Sequence, residues 1–476
     1  MPKASMEIIL KKALKKIVPK PAERKRLEKL AARALELANK EALKQGAYAI
    51  IAGSLTRNTW LPGKMEFDLF ILFKPSVTRE KLEKFGLQIG KDVIRRLGGR
   101  ATVEYAEHPY TSGCVKGLNI DVVPCYELES TEQLKSSVDR TPFHVRYIEK
   151  RFPPELSNDV RLLKQFCTAA DVYGADAKTE GFSGYVCELL AIRYGKFADT
   201  LKAVAGWRTG EIIDIENFYR KEEYRELAKA YKSQPLILID PTDKNRNTAA
   251  AVSPASFCAL RSAARHFLEK PSLEAFFPKP KKPFSPKELK AAVRKRETGL
   301  VIVSFKPPHV VPDILWPQMR RLGQRLEAIL KENDFDVLRR DVYTDGCKLA
   351  VVIIEMESCT LPAVRKRVGP SVFDDNGARN FAKTYKHSAI NGPFVEGGFW
   401  VVETKRRFRT VQEKLEDSLG DPLKVLEAKG IPSHVAKQIS RGFQVTADVG
   451  KTAKLAKKDK GFGVFLRDYF EKECLA

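Results

Sequence analysis

Hydrophobic and polar positions along the chain change period several times, and each change marks an element. Residues 64–73 and 118–123 are aromatic and β-branched runs that read as short buried strands. Residues 47–52 read as another strand, ended by Gly53-Ser54, and residues 55–60 as a following helical turn. Upstream, residues 21–45 predict a helix with Leu27, Leu30, Ala34, Leu37 and Ala38 on one stripe and Gly46 at its end. A second helix is expected over 78–97 and a further strand over 103–108. These elements make a mixed α/β head over residues 1–150.

Beyond it the period is helical. Residues 159–170, 185–197, 221–231 and 255–268 predict helices, and 151–277 reads as a mainly helical neck. A Pro/Lys-rich stretch, 277–286, marks a boundary. Ser285-Pro286-Lys287-Glu288 there has the form of a capping box with Pro at the first helical position. A strand (300–305), a helix (314–333) and two strands (335–343 and 348–355) follow. The order βαββ suggests a ferredoxin-like body, 287–368 completed by 421–476, with 369–420 inserted as a small tail. The aromatics of an RNA-stacking face are not apparent in it. The fold class is therefore α+β and multidomain, with no internal repeat.

Composition sharpens this. The chain has 476 residues, enough for two to four domains, and a formal net charge of +24. Residues 281–476 hold 37 basic and 25 acidic residues, half the surplus, so the charge is not a basic tail. A surplus spread in this way points to a polyanionic partner, although a generally basic soluble protein would share it. The eight Cys form no Cys-x-x-Cys and no ligand spacing with the six His, which argues against zinc. No signal peptide and no apolar run of membrane-spanning length are seen, so a reducing cytoplasm is expected.

Candidate chemistry rests on three carboxylates. Glu66 and Asp68 sit two apart in one strand and so share a face, and Asp121 lies in another. Taken alone, an acid-apolar-acid triplet is common, and most such triplets are exposed strand faces. Crowded carboxylates repel, however, and a bound cation relieves them. Mg²⁺ suits oxygen ligands and shares its shell with water and phosphates. The upstream Gly53-Ser54 turn offers backbone N–H groups, the Ser54 hydroxyl and the Arg57 cation to a triphosphate. A strand, a Gly-Ser turn, a strand with paired acids and a third acid together are much more specific than any one part.

The segment 53–68 resembles the signature of the DNA polymerase beta-type nucleotidyltransferase superfamily. Gly53-Ser54-Leu55-Thr56-Arg57-Asn58-Thr59-Trp60-Leu61, with Glu66 as first acid, is similar to one branch, the archaeal (class I) CCA-adding enzymes, or tRNA nucleotidyltransferases. Asp139-Arg140-Thr141-Pro142-Phe143-His144, Arg161-Leu162-Leu163-Lys164, Tyr173-Gly174-Ala175, Gly181-Phe182-Ser183-Gly184-Tyr185 and Asn391-Gly392-Pro393-Phe394 match it too. The resemblance runs from about residue 50 past 400.

It implies template-independent addition of C, C and A, from CTP and ATP, to the 3′ end of tRNA. Glu66, Asp68 and Asp121 would hold two Mg²⁺ and be the catalytic residues. Ser54, Arg57, His144, Lys164 and Tyr173 would seat the nucleotide. By local pattern alone, Thr141-Pro142 reads as an N-cap and first helical residue, His144 as a helix-start residue, Lys164 as solvated and Tyr173 as packed. Arg246, in the polar loop 240–247, best matches an Arg that helps select the base. Arg365, Lys366 and Arg367, with Lys405, Arg406 and Arg407, are candidates for RNA phosphates or plain surface charge. A homodimer is common in the family. The alternatives are another enzyme of the superfamily, such as a poly(A) polymerase, and an RNA-binding protein with an inactive transferase head.

Overall fold

The computed structural model describes residues 3–63, 66–105 and 108–472. The chain divides into two compact units, one up to residue 279 and one from residue 280. Lys64, Met65, Ala106 and Glu107, which belong to two of the expected strands, lie outside the described residues.

The first unit opens with helices α1 (Lys3–Ile17) and α2 (Pro21–Ala42). A five-stranded sheet follows: β1 (Tyr48–Ala52), β2 (Glu66–Phe73), β3 (Arg100–Tyr105), β4 (Pro109–Val115) and β5 (Leu118–Tyr126), with α3 (Arg79–Arg96) between β2 and β3. The strand order is β1-β2-β5-β4-β3. Only β2 and β5 are parallel; the other neighbours are antiparallel. Helices α2 and α3 cover one face, where Leu27, Leu37, Phe67, Leu69, Ile89 and Val122 form the core. Strand β4 lies outside the expected strands, because Pro109 and Gly113, both disfavoured in strands, interrupt its β-forming residues.

The helical part comprises α4 (Thr141–Arg151), α5 (Ser157–Ala169), α6 (Gly184–Tyr194), α7 (Phe197–Gly206), α8 (Tyr224–Ala230) and α9 (Pro254–Glu269). Its core holds Phe166, Phe197, Phe267 and Phe276 with their rings edge to face or tilted. Helix α1 contributes Ala13 and Ile17 to this core, so the basic start of the chain packs with the neck. The segment is not wholly helical. Strands β6 (Glu211–Ile213), β7 (Leu236–Asp240) and β8 (Asp243–Asn247) form a small sheet. The polar stretch expected to be a loop is the turn and second strand of that hairpin, because the apolar run Leu236–Ile239 before it pairs back.

The second unit starts with α10 (Pro286–Arg296), capped by Ser285 with Glu288 returning the bond. Next come β9 (Gly299–Phe305), α11 (Pro312–Lys331), β10 (Val337–Thr344) and β11 (Ala350–Met356). A small sheet, β12 (Val364–Ser371), β13 (Ala389–Glu396) and β14 (Phe399–Lys405), carries α12 (Asp375–Tyr385). The chain closes with α13 (Val411–Leu419), α14 (Leu423–Ala428), α15 (Ser433–Ile439), β15 (Phe443–Thr446), α16 (Val449–Lys458) and α17 (Lys460–Phe470). The body sheet runs β10-β11-β9-β15, all antiparallel. That is the strand order of a ferredoxin-like βαββαβ unit. Alternate residues of β9 and β11 face two cores, one under α11 and α13 to α15, the other under α10, α16 and α17. The tail sheet begins at Val364, and Val411, Leu415 and Leu419 of α13 belong to the body core, so the insertion starts and ends earlier than 369–420.

Candidate active site

The acid site is made by strand register. In the parallel pair β2–β5, Asp68 stands beside Asp121 and Glu66 beside Asn119. Phe67, Leu69, Ile120 and Val122 alternate into the core. Glu66, Asp68 and Asp121 are therefore left together on the opposite face. Crowding shows in their acidity. Burial first, then the charges of Asp121 and Glu66, push the Asp68 carboxyl up to about 6, against a pull from Arg57. Burial also raises Asp121, while a hydrogen bond from Ser112 on β4 opposes it.

Gly53 explains itself here. It follows Ala52, the register partner of Asp68. Its φ is +86°, and a Cβ on it would lie 3.1 Å from Asp68 Oδ2. Residues 54–58 continue as hydrogen-bonded turns rather than regular helix, with Asn58 N–H on the Leu55 carbonyl and Thr59 N–H on that of Ser54.

The neck holds this turn in place. Arg161 is 2% exposed and donates to the Trp60 carbonyl (3.1 Å) and to Asn158 (2.8 Å) and Asn58 (2.5 Å) side chains. Ser157 donates to the Arg57 carbonyl at 3.2 Å. Lys164 is not solvated: it is 1% exposed and donates to Thr59 Oγ1 (3.0 Å) and Glu188 Oε1 (3.1 Å).

A cleft of about 350 Å³ joins these parts and is lined by Gly53, Ser54, Arg57, Glu66, Asp68, Thr141, His144, Lys164, Tyr173, Gly184, Tyr185 and Glu188, with Phe67 and Val145. All five expected nucleotide-seating residues are in it. Asp121 opens instead into a second cleft of about 570 Å³ with Arg100, Thr102, Ser112 and Asn119. Glu66 and Asp68 line both clefts.

His144 is in the first turn of α4. Thr141 is the first helical residue and not its cap; one short 3₁₀ turn earlier the Asp139 carboxylate accepts from the backbone N–H groups of Ser136 and Lys135. His144 Nε2 lies 2.8 Å from Asp240 Oδ2, and its ring stacks on Tyr185 with centroids 4.1 Å apart. Burial opposes the charge on Asp240, but bonds from His144 and Thr242 overcome it and hold the carboxyl well below the usual range. An ionised Asp240 can only accept, so Nε2 carries the proton. Arg246 binds the same oxygen at 2.7 Å and does not itself line the cleft.

Two cleft residues had no expected role. Tyr185 was legible only as the end of a matching motif, and its buried hydroxyl has no partner among the described residues. Glu188 stands out in the sequence only as a lone acid in the apolar run Val186–Ile192.

The basic clusters of the second unit are partly engaged. Arg365 and Arg406 both pair with Asp334, at 2.8 and 2.5 Å, and Lys366 pairs with Glu396. Arg367 donates to Thr404, and Arg407 pairs with Asp417 while remaining 80% exposed.

Comparison with known proteins agrees with this arrangement. Residues 33–144 match the model of a nucleotidyltransferase domain, 158–277 that of a tRNA nucleotidyltransferase second domain, and 296–448 that of a CCA-adding enzyme C-terminal domain. The CCA-adding enzyme of Methanosarcina acetivorans is 38% identical over 461 residues, covering 96% of each chain. That of Halorubrum lacusprofundi is 35% identical over 484 residues, covering 98% of this chain and 99% of its own. Strand order, acid face, cleft and full-length similarity together place this chain in the family of CCA-adding enzymes, a nucleotidyltransferase family.

Proposed function

We propose that the protein builds or repairs the CCA end of tRNA, adding C twice from CTP and A once from ATP without a nucleic-acid template. The observation that carries the site assignment is that two clefts meet at Glu66 and Asp68. One, with Ser54, Arg57, His144, Lys164 and Tyr173, is suited to the triphosphate. The other, with Asp121, Arg100 and Asn119, is suited to the acceptor end.

The donor set fits Mg²⁺: three carboxylates on one sheet face, one of them raised by burial and by its neighbours' charge, are a hard oxygen site short of cations. Among the described residues no group of three or more His, Cys, Asp or Glu side chains is arranged to hold a metal ion, these three acids included. An ion here would complete its shell with water and phosphate. Two Mg²⁺ held by Glu66, Asp68 and Asp121 would supply charge neutralisation at the α-phosphate and at the leaving pyrophosphate.

The chain's own residues do the rest. Ser54 and the backbone N–H groups after Gly53 receive phosphate oxygens. Arg57 and Lys164 balance the triphosphate charge. Asp121, on the acceptor side, orients the 3′ hydroxyl for in-line attack. Asp240 fixes the ring of His144 and the guanidinium of Arg246, which makes that trio the candidate for reading the incoming base. The basic surfaces of both units would meet tRNA mainly at phosphates, so binding should weaken steeply with salt.

The test is a labelled tRNA ending at the discriminator base, incubated with protein, Mg²⁺, CTP and ATP. Extension by three nucleotides and arrest, with two in CTP alone, is expected. A long A ladder would identify a poly(A) polymerase instead, and no extension would leave an RNA-binding protein.

A further inference from the structure

Glu188 lies at the floor of the first cleft, on α6, with 0% exposure. A carboxylate this deep is costly unless paired and hydrogen-bonded. It has three partners from two other parts of the unit. Thr59 donates to Oε1 at 2.6 Å, Lys164 donates to the same oxygen at 3.1 Å, and Arg57 Nε sits 2.9 Å from Oε2. Burial pushes the acid up, but Lys164, Arg57 and Thr59 outweigh it and hold the carboxyl below its ordinary range.

The Arg57 contact is close but off the hydrogen-bond line. Both Arg57 Nε and Glu188 Oε2 are buried without a hydrogen-bond partner. The attraction is mainly one of charge, and apart from Nη1, which donates to Thr56 Oγ1 at 3.3 Å, it leaves the guanidinium donors of Arg57 unspent. Lys164 has three N–H donors and uses two on Thr59 and Glu188. Gly184 keeps the space beside the ammonium clear, since a Cβ there would stand 3.5 Å from Lys164 Nζ and 3.2 Å from the Tyr173 hydroxyl. A buried anion thus gathers two cations, one from the Gly-Ser turn and one from α5, and consumes only part of what each can donate.

We propose that Glu188 is a positioning residue for nucleotide binding: it aims Arg57 and Lys164 at the β- and γ-phosphates without touching the nucleotide. This rests on the cleft being the triphosphate seat. In Glu188→Gln the amide oxygen still serves Thr59 and Lys164, but an NH₂ then faces Arg57, so one cation loses its aim while the packing volume stays the same.

The experiment measures binding of CTP and of CMP by calorimetry, with and without the substitution, alongside tRNA affinity and thermal unfolding of the full chain. The expected result is that CTP affinity falls roughly tenfold, the scale of one charge-assisted hydrogen bond, while CMP and tRNA affinities hold. The KM values for CTP and ATP should rise by the same factor, since the triphosphate is common to both. An unchanged preference for CTP over CMP, or equal losses of both, overturns the proposal and leaves Glu188 a strut between helices and turn. If the unsubstituted protein shows no preference for CTP over CMP, the triphosphate seat itself falls, and this inference with it. Should Glu188→Gln not fold, Glu188→Asp keeps the charge but withdraws it by one methylene. It is read the same way, with a smaller loss of CTP affinity alone expected.

Discussion

Glu188 in the first unit and Glu355 in the second are both fully buried, and each is held by basic side chains and a threonine. Around Glu355 both carboxylate oxygens are hydrogen-bonded, whereas Glu188 Oε2 is not. Arg296 grips both oxygens at 2.5 and 3.2 Å, Thr298 adds 2.7 Å, the Tyr469 hydroxyl 3.4 Å, and Arg339 lies 3.6 Å away. Glu355 lines neither described cleft. Around Glu188 the partners keep spare donors, and those face a cleft whose other wall, Asp68, is a carboxylate in want of a cation. Two buried acids of similar exposure thus differ in how fully their own oxygens are bonded and in whether their partners line a cleft. Completeness marks the structural ion pair, and incompleteness marks the site.

The comparison breaks most visibly at the acid face. Asp68→Asn should lower nucleotide addition by at least about a thousandfold, the scale of losing a metal-holding charge. The same change should stabilise the divalent-free protein by something on the order of 2 kcal/mol, because it removes a buried charge and with it the like-charge crowding. Thermal unfolding in chelator reads the second effect, and a variant that melts lower would show the face is not strained. The next effect is in the body. Glu355→Gln should cost about 3 kcal/mol, since it leaves Arg296 and Arg339 without their anion. Below the new melting temperature the KM for CTP should stay put; a rise would place Glu355 in the nucleotide machinery and dissolve the contrast.

Proton linkage sharpens it further. The folded value for Asp68, about 6, lies above its unfolded one, so its ionisation opposes folding. The penalty is absent below the unfolded value near 4 and is complete only once pH has risen through about 6. The melting-temperature gain from added Mg²⁺ should therefore be larger at about pH 7.5 than at about pH 5. Glu355 runs the other way. Burial raises it, but Arg296 and Thr298 overcome that and hold it low. The stability it gives is present above the unfolded value and lost as pH falls through the folded one. The smallest effect is Arg246→Ala, which frees Asp240 of one partner at 2.7 Å. It should change the ratio of C to A incorporation by roughly tenfold or less while triphosphate affinity holds.

Much of the site was legible because it sits where local pattern is strong. The alternation of residues 66–73 puts Glu66 and Asp68 on one face whatever the neighbours are, and the Gly53 turn needs only its own backbone. What was not legible depends on distant partners. Residues 109–115 are a strand because β5 and β3 flank them, and 240–247 pair only because Leu236–Ile239 are buried beside β6. Lys164 looks like any solvated helix Lys until Glu188, twenty-four residues on, meets it. The six basic tail residues could not be ranked from sequence. Asp334, which engages Arg365 and Arg406, lies outside the tail.

The parallel register of β2 and β5 has an engineering consequence. Asp68 and Asp121 meet because both strands are counted from the same end, not because any bond joins the two acids. Inserting one residue between Phe67 and Asp68, or between Ile120 and Asp121, would turn an acid into the core and an apolar residue toward the substrate. The turn at Lys116-Gly117, with both residues at positive φ, joins β4 to β5 outside that count. Extra residues should be far easier to graft at this turn than within the strands.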